Sequence, residues 1–154
     1  MSTTKKIWLM KSEPDVYSID NLAKDKRTWW EGVRNYQARN FMMQDMSPGD
    51  IVLFYHSSAE PTGIAGLAKV CSKAEADQTQ FKKGSDYFEP KATKEKPMWF
   101  CVQVEFVKKF KDILTLEQIK KVDALKGMQL LKRGQRLSIQ PVTSDEFKAI
   151  EKLI

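Results

Sequence analysis

The run Ile51-Val52-Leu53-Phe54-Tyr55 constrains this chain more than any other feature. It is apolar at every position and is entered through the turn sequence Ser47-Pro48-Gly49-Asp50. Five residues are too few for a membrane span, which needs about twenty, and too few for a stable helix face. A strand fits, and a strand with no polar face must be covered on both sides. The chain therefore needs packing layers on either side of a sheet.

The flanking segments say what those layers are. Ile7 to Met10 reads as a strand that ends at Ser12-Glu13-Pro14, where Pro14 holds Glu13 extended. Ser18 is placed to cap a short helix through Leu22 and Ala23. Tyr36 to Met46 has helical spacing. Ile64 to Ser72 reads as a strand with a kink at Gly66. Residues 74–97 are polar and read as one long loop. Met98 to Phe110 carries the longest strand signal. Thr115 with Gln118 forms a capping-box pattern, and Leu125 to Lys132 reads as a second short helix ended by Gly134. Leu137 to Val142 reads as a strand. Thr143 or Ser144 caps a last helix whose apolar stripe is Phe147, Ile150 and Ile154. Strands and helices alternate irregularly, with no regular series of strand–helix–strand units. One α+β domain over residues 1–154, a small mixed barrel with peripheral helices, fits better than a doubly wound sheet.

Several classes drop out. Only Ile7 to Met10 separate Lys6 from Lys11, which is no signal-peptide core, and no span long enough for a membrane exists. Cys71 and Cys101 lie far apart and read as small buried apolar residues in a reducing compartment. One histidine and two distant cysteines make no recognisable zinc site. No nucleophile elbow, phosphate-binding loop or dinucleotide fingerprint is present, so no metal or cofactor is expected.

The 26 Lys+Arg against 20 Asp+Glu leave a net charge of +6. Residues 69–136 hold 16 basic and 9 acidic side chains, net +7, whereas residues 1–68 hold 8 of each. Lys108, Lys109, Lys132, Arg133 and Arg136 belong to this basic stretch. A solvated lysine-rich face explains it; so does a phosphate-tracking surface with salt-dependent, sequence-blind affinity.

Trp29 to Asn40 is the densest group of unusual residues, mixing aromatics, amides and guanidinium groups around Gly32. Aromatic faces stack on bases, amides read base edges and Arg clamps phosphate. The same residues equally suit a core with Arg34 in a structural ion pair. His56, at a strand end, reads either as a structural residue or as a site residue.

Four spaced stretches carry a family likeness. They are Trp8-Leu9-Met10-Lys11-Ser12-Glu13-Pro14, Trp30 to Asn40, Gly49-Asp50 with Phe54-Tyr55-His56-Ser57, and Leu137 to Val142. In this order they resemble the EVE-domain family, with Glu31 where Asp is more frequent and Ile139 where Val is usual. Residues 74–97 add nothing to the likeness. The resemblance implies a PUA-like pseudo-barrel flanked by helices, related to YTH and ASCH domains. It implies a non-catalytic reader of modified bases in DNA or RNA, methylated or hydroxymethylated cytosine above all. The implied pocket draws on Lys11, Ser12, Glu13, Trp30, Arg34, Asn35, Tyr55, His56, Ser57, Ser138, Gln140 and Pro141. Trp30 and Tyr55 would sandwich the ring. Ser12, Asn35 and Ser138 would bond its edge, Arg34 and Lys11 would neutralise phosphates, and Glu13 would meet an amine or hold Arg34. Two other readings stand beside it: an enzyme acting on a base through Glu13 or His56, and a small-ligand module. A cytoplasmic location is expected, nucleoid-associated, or nuclear in a eukaryote.

Overall fold

The computed structural model describes residues 5–134 and 137–154. Eight strands run in chain order: β1 (Ile7–Ser12), β2 (Arg27–Trp29), β3 (Ile51–His56), β4 (Gly63–Val70), β5 (Glu75–Ala76), β6 (Phe100–Cys101), β7 (Gln103–Thr115) and β8 (Ile139–Val142). Four short helices accompany them: α1 (Ile19–Asp25), α2 (Tyr36–Asn40), α3 (Leu116–Lys120) and α4 (Ser144–Glu151). Six strands form one curled mixed sheet in the order β2-β7-β4-β3-β1-β8. Among the described residues only β1 and β3 pair in parallel; the remaining neighbours are antiparallel. The sequence implies a mixed barrel with peripheral helices, and the structure shows that architecture as a curled half-barrel.

The apolar run behaves as its lack of a polar face requires. Val52 and Phe54 of β3 enter one buried cluster with Trp8, Met10, Ile19 and Trp30. Leu53 and Tyr55 enter a second cluster with Leu9, Ile64, Ile119 and Ile150. Period-two alternation thus divides one strand between two cores, one on each sheet face. Fully burying a side chain such as Phe54 contributes about 1.5–3 kcal/mol.

The curl comes from irregular pairing of β4 with β7. The register shifts between Ile64 and Gly66 and again between Leu67 and Ala68. At the first shift a Cβ on Gly66 would lie 2.4 Å from the Lys108 carbonyl oxygen. The absent side chain lets the backbones close, and the bulges bend the sheet. They also let β7 run on to Thr115, five residues past the expected end, because Leu114 and Thr115 still find partners in Ile64 and Gly63.

The helix caps fall where expected. Ser18, Thr115 and Thr143 each form a capping box with the residue three positions on. Other expectations need correction. The Tyr36–Met46 helix is α-helical only to Asn40 and then widens into a π turn over Phe41–Asp45, which the Met46 amide closes by donating to the Phe41 carbonyl. The strand expected from Met98 is two strands broken at Val102. The expected Leu125–Lys132 helix is two 3-10 turns, Asp123–Leu125 and Gln129–Leu131, on either side of Gly127; glycine is a poor helix interior. Ile154 lies past the end of α4 and is 43% exposed, so Ile150 anchors that helix.

Segment 74–97 is not a free loop. β5 pairs with β6, and a 3-10 turn spans Gln78–Phe81. Gln80 is fully buried and uses its whole amide. Nε2 donates to the Asp77 and Trp99 carbonyls at 2.8 Å each, and Oε1 accepts from the Met98 and Trp99 amides. A buried amide satisfied at four points pins the segment to the strand that follows.

Candidate functional site

A cavity of about 770 Å³ opens where the ends of several elements meet. The end of β1 brings Lys11, Ser12 and Glu13. The turn before α1 brings Val16 and Tyr17. The exit of β2 brings Thr28 to Arg34. Ser57, Ser138 and Tyr87 complete the wall. The volume lies in the usual range for small-ligand sites.

Backbone pairing fixes the polar part of this wall. Lys11 N–H donates to the Ser138 carbonyl at 2.8 Å, and Ser57 N–H donates to the Ser12 carbonyl at 3.0 Å. Ser12 Oγ donates to the Tyr17 carbonyl at 2.6 Å, tying β1 to the turn. Trp30 forms an apolar floor. Its ring meets Phe54 edge-on, with centroids 5.5 Å apart and planes at 81°. Burial pushes the Lys11 amine below its ordinary pKa. Burial, and then the charge of Asp77, pushes the Glu31 carboxyl above its own. Glu31, its carboxyl disfavoured in the charged form, thus lines the cavity with the aromatic floor, whereas the Lys11 amine turns away to lie over the Tyr55 ring, 5.9 Å from its centroid.

The other wall hangs on Asp77, which is buried. Its carboxylate accepts from Gly32 N–H at 2.8 Å, Arg34 Nη1 at 3.1 Å, Thr79 N–H at 2.8 Å and the Thr79 hydroxyl. Burial alone would raise this carboxyl's pKa. The bonds from Thr79, Gly32 and Arg34 outweigh burial and hold it below the ordinary carboxylate value. Gly32 has φ of +87°, and a Cβ there would stand 2.8 Å from the Tyr87 ring. Both constraints demand glycine: the left-handed backbone and the ring laid against it. Arg34 also donates from Nη1 to the Val33 carbonyl and from Nη2 to Thr79 Oγ1 and the Tyr87 carbonyl.

The structure brings seven of the twelve residues implied for the pocket to the cavity: Lys11, Ser12, Glu13, Trp30, Arg34, Ser57 and Ser138. Five stand elsewhere. Asn35 caps α2, its Oδ1 accepting from Ala38 N–H at 2.9 Å. Tyr55 points to the opposite sheet face by strand alternation, so it does not sandwich a ring with Trp30. His56 Nε2 accepts from Ile19 N–H at 3.1 Å, and burial lowers its pKa, so the ring is a neutral structural acceptor. Gln140 is buried and donates to the Leu137 carbonyl, and Pro141 is exposed on β8 opposite Trp8. Arg34 is held by Asp77 and not by Glu13, and its bonds into the fold leave it a poor free phosphate clamp.

Tyr87, Asp77 and Thr79 escaped sequence reasoning. They sit in a segment without periodicity; the Asp-x-Thr spacing of an Asx turn marks Asp77 and Thr79, and nothing local marks Tyr87. Of the basic residues, Lys109 pairs with Asp20 at 2.7 Å. Lys108 and Lys109 line a second concavity of about 510 Å³ beside Leu153 and Ile154. Lys132 and Arg133 are exposed, and Arg136 lies outside the described residues. Among the described residues no group of three or more metal-ligating side chains gathers, and no helix is long and apolar enough to cross a membrane. Cys71 and Cys101 are unbridged.

Comparison with known proteins places this geometry. The EVE domain matches residues 6–153. Human thymocyte nuclear protein 1 is 42% identical, over 91% of this chain and 70% of that protein. A hypothetical protein from Leishmania major has a solved structure that is 48% identical, with a TM-score of 0.92, covering 97% and 94% of the two chains. The human THYN1 protein solved in complex with DNA containing 5-methylcytosine is 40% identical, with a TM-score of 0.90, over 97% of each chain. The match runs from the first strand to the last helix, through segment 74–97 as well, and the chain belongs to the EVE domain family.

Proposed function

We propose that this chain is a non-catalytic module that binds nucleic acid and reads a modified cytosine in the cavity above Trp30. The cavity itself carries the reading. It combines a recessed aromatic floor, a rim of hydroxyl and carboxyl groups and room for a nucleotide, in a fold close to that of a human protein solved with 5-methylcytosine DNA.

The energetics are workable. Extruding a base from a duplex costs a few kcal/mol. Stacking on Trp30 recovers about 1–3 kcal/mol, and bonds to Ser12, Ser138 and Glu31 supply the remainder and orient the ring. Lys108, Lys109, Lys132 and Arg133 add sequence-blind affinity that falls with salt. His56 contributes no base catalysis, because Nε2 already accepts from Ile19 N–H. A DNA partner fits a location on the nucleoid within the cytoplasm or, in a eukaryotic cell, the nucleus, as the names of the thymocyte nuclear protein relatives suggest.

The test is titration of one oligonucleotide carrying cytosine, 5-methylcytosine or 5-hydroxymethylcytosine at a single site, as DNA and as RNA. Tighter binding of a modified form supports the reader. Equal affinity for all forms removes it.

A further inference from the structure

Beyond the cavity, rings and guanidinium groups pack in a run in the order Tyr87, Arg34, Trp99, Tyr36, Arg39. The Arg34 guanidinium carbon lies 5.3 Å from the centroids of both Tyr87 and Trp99. Trp99 is buried, and Tyr36 stacks on it with centroids 4.9 Å apart and planes only 21° from parallel. The Arg39 guanidinium carbon lies 4.8 Å from the Tyr36 centroid and 5.8 Å from that of Trp99. The last three distances fix where Arg39 stands. On the far face of Tyr36 it would be about 10 Å from Trp99, so it sits beside the stacked pair. It leaves the outer face of Tyr36 open, and that residue is 56% exposed. Arg39 is itself held, donating to Asn40 Oδ1 and, at 2.9 Å, to the Met98 carbonyl.

Tyr36 is thus a ring held nearly flat against Trp99, with one face in water and a fixed cation at its edge. It also lies near the cavity. Arg34 lines the cavity wall, and the Tyr36 ring centre is at most about 10 Å from the Arg34 guanidinium, a span that a few nucleotides of strand cover. Extruding one base breaks the stack on either side of it, so a neighbouring base needs a new surface. An open aromatic face with an adjacent guanidinium supplies one, since stacking tolerates any base and the guanidinium faces the phosphate.

We propose that Tyr36 is a stacking platform for an unpaired base within three nucleotides of the one in the cavity, with Arg39 facing its phosphate. This deepens the reading of the cavity as a base reader and rests on it. The platform makes affinity depend on the strand beside the modified base, without adding selectivity for the modification.

The experiment uses the full chain with Tyr36→Leu and Tyr36→Phe, each checked by thermal melting. The probe is a DNA strand bearing 5-methylcytosine with 2-aminopurine one, two or three positions away, unpaired there. The second ligand is free 5-methyl-2′-deoxycytidine. The wild type and Tyr36→Phe should quench 2-aminopurine at one of these positions. Tyr36→Leu should lose the quenching and bind the strand roughly tenfold more weakly, while its affinity for the free nucleoside follows the wild type. Unchanged strand affinity and quenching in Tyr36→Leu overturn the platform. So does an equal loss for strand and nucleoside, which would make Tyr36 a support for the cavity wall. Binding of a protein or a second copy of the chain at Tyr36 in preference to the strand also overturns it. A wild type that ignores methylation defeats the reader instead, and quenching on an unmethylated strand still tests the platform.

Discussion

Replacing Asp77 with Ala should be among the most damaging single changes in this protein. The carboxylate neutralises Arg34, whose side chain is only 22% exposed, and accepts from the amides of Gly32 and Thr79. Removing one partner of a buried ion pair costs about 3–5 kcal/mol, and each stranded amide adds about 1–3 kcal/mol unless water reaches it. Partial exposure of Arg34 argues for the lower end of the ion-pair cost, and water reaching the freed amides keeps their share small, for a total of about 4 kcal/mol. A chain of this size loses roughly 2–4 °C of Tm per kcal/mol, so melting should fall by about 8–16 °C. The assay is thermal denaturation of the wild type, Asp77→Ala, Arg34→Met and the double variant. Coupling predicts that the double variant loses at least about 1 kcal/mol less than the sum of the singles. The carboxyl's folded pKa lies below the ordinary 3.8, so its stabilisation is complete above that value and is lost as pH falls through the lower folded value. The wild type and Asp77→Asn should therefore converge only in strong acid. A fall under about 3 °C, strict additivity or convergence near neutral pH would refute the reasoning.

Three further outcomes follow from the structure. His56 has a folded pKa below its ordinary 6.5, so its stabilisation is present above that value and is lost as pH drops through the lower folded value; Tm should fall from pH 7 to pH 5, and His56→Gln should flatten that slope. Gly66→Ala forces a Cβ to within 2.4 Å of the Lys108 carbonyl oxygen and should cost about 1–3 kcal/mol in denaturant unfolding, with the loss concentrated in the β4–β7 pairing. Lys108→Ala with Lys109→Ala should weaken binding of methylated and unmethylated strands alike and reduce the salt slope by about 2, while the exposed Lys109–Asp20 pair changes stability by less than about 1 kcal/mol.

The fold was legible where local chemistry decides it. Ser18, Thr115 and Thr143 announce their helices by cap spacing, and Ile51–Tyr55 announces a two-sided strand. The bulges at Gly66 were only half legible: a kinked glycine marks an irregularity, but the close approach of the Lys108 carbonyl belongs to the partner strand. In the site, motif order located Lys11 to Glu13, Trp30 and Ser138, because these occupy strand ends. Tyr55, His56 and Gln140 fall inside the same motifs but turn to other partners. Strand alternation carries Tyr55 and Gln140 to the opposite face, and His56 satisfies the first turn of α1. Asp77 and Tyr87 were illegible because their importance lies in what they touch, Gly32 and Arg34, more than forty residues away in sequence.

The most direct test is to find where the 5-position of the base lies. A strand carrying 5-iodocytosine in place of 5-methylcytosine, photolysed on the protein and mapped by mass spectrometry, reports the aromatic ring nearest that position. Cross-links are expected at Trp30 or at Trp29, Tyr17 or Tyr87 around the same cavity, competed away by the methylated strand. Cross-links confined to the β7 surface around Phe110, with none in the cavity, would contradict it.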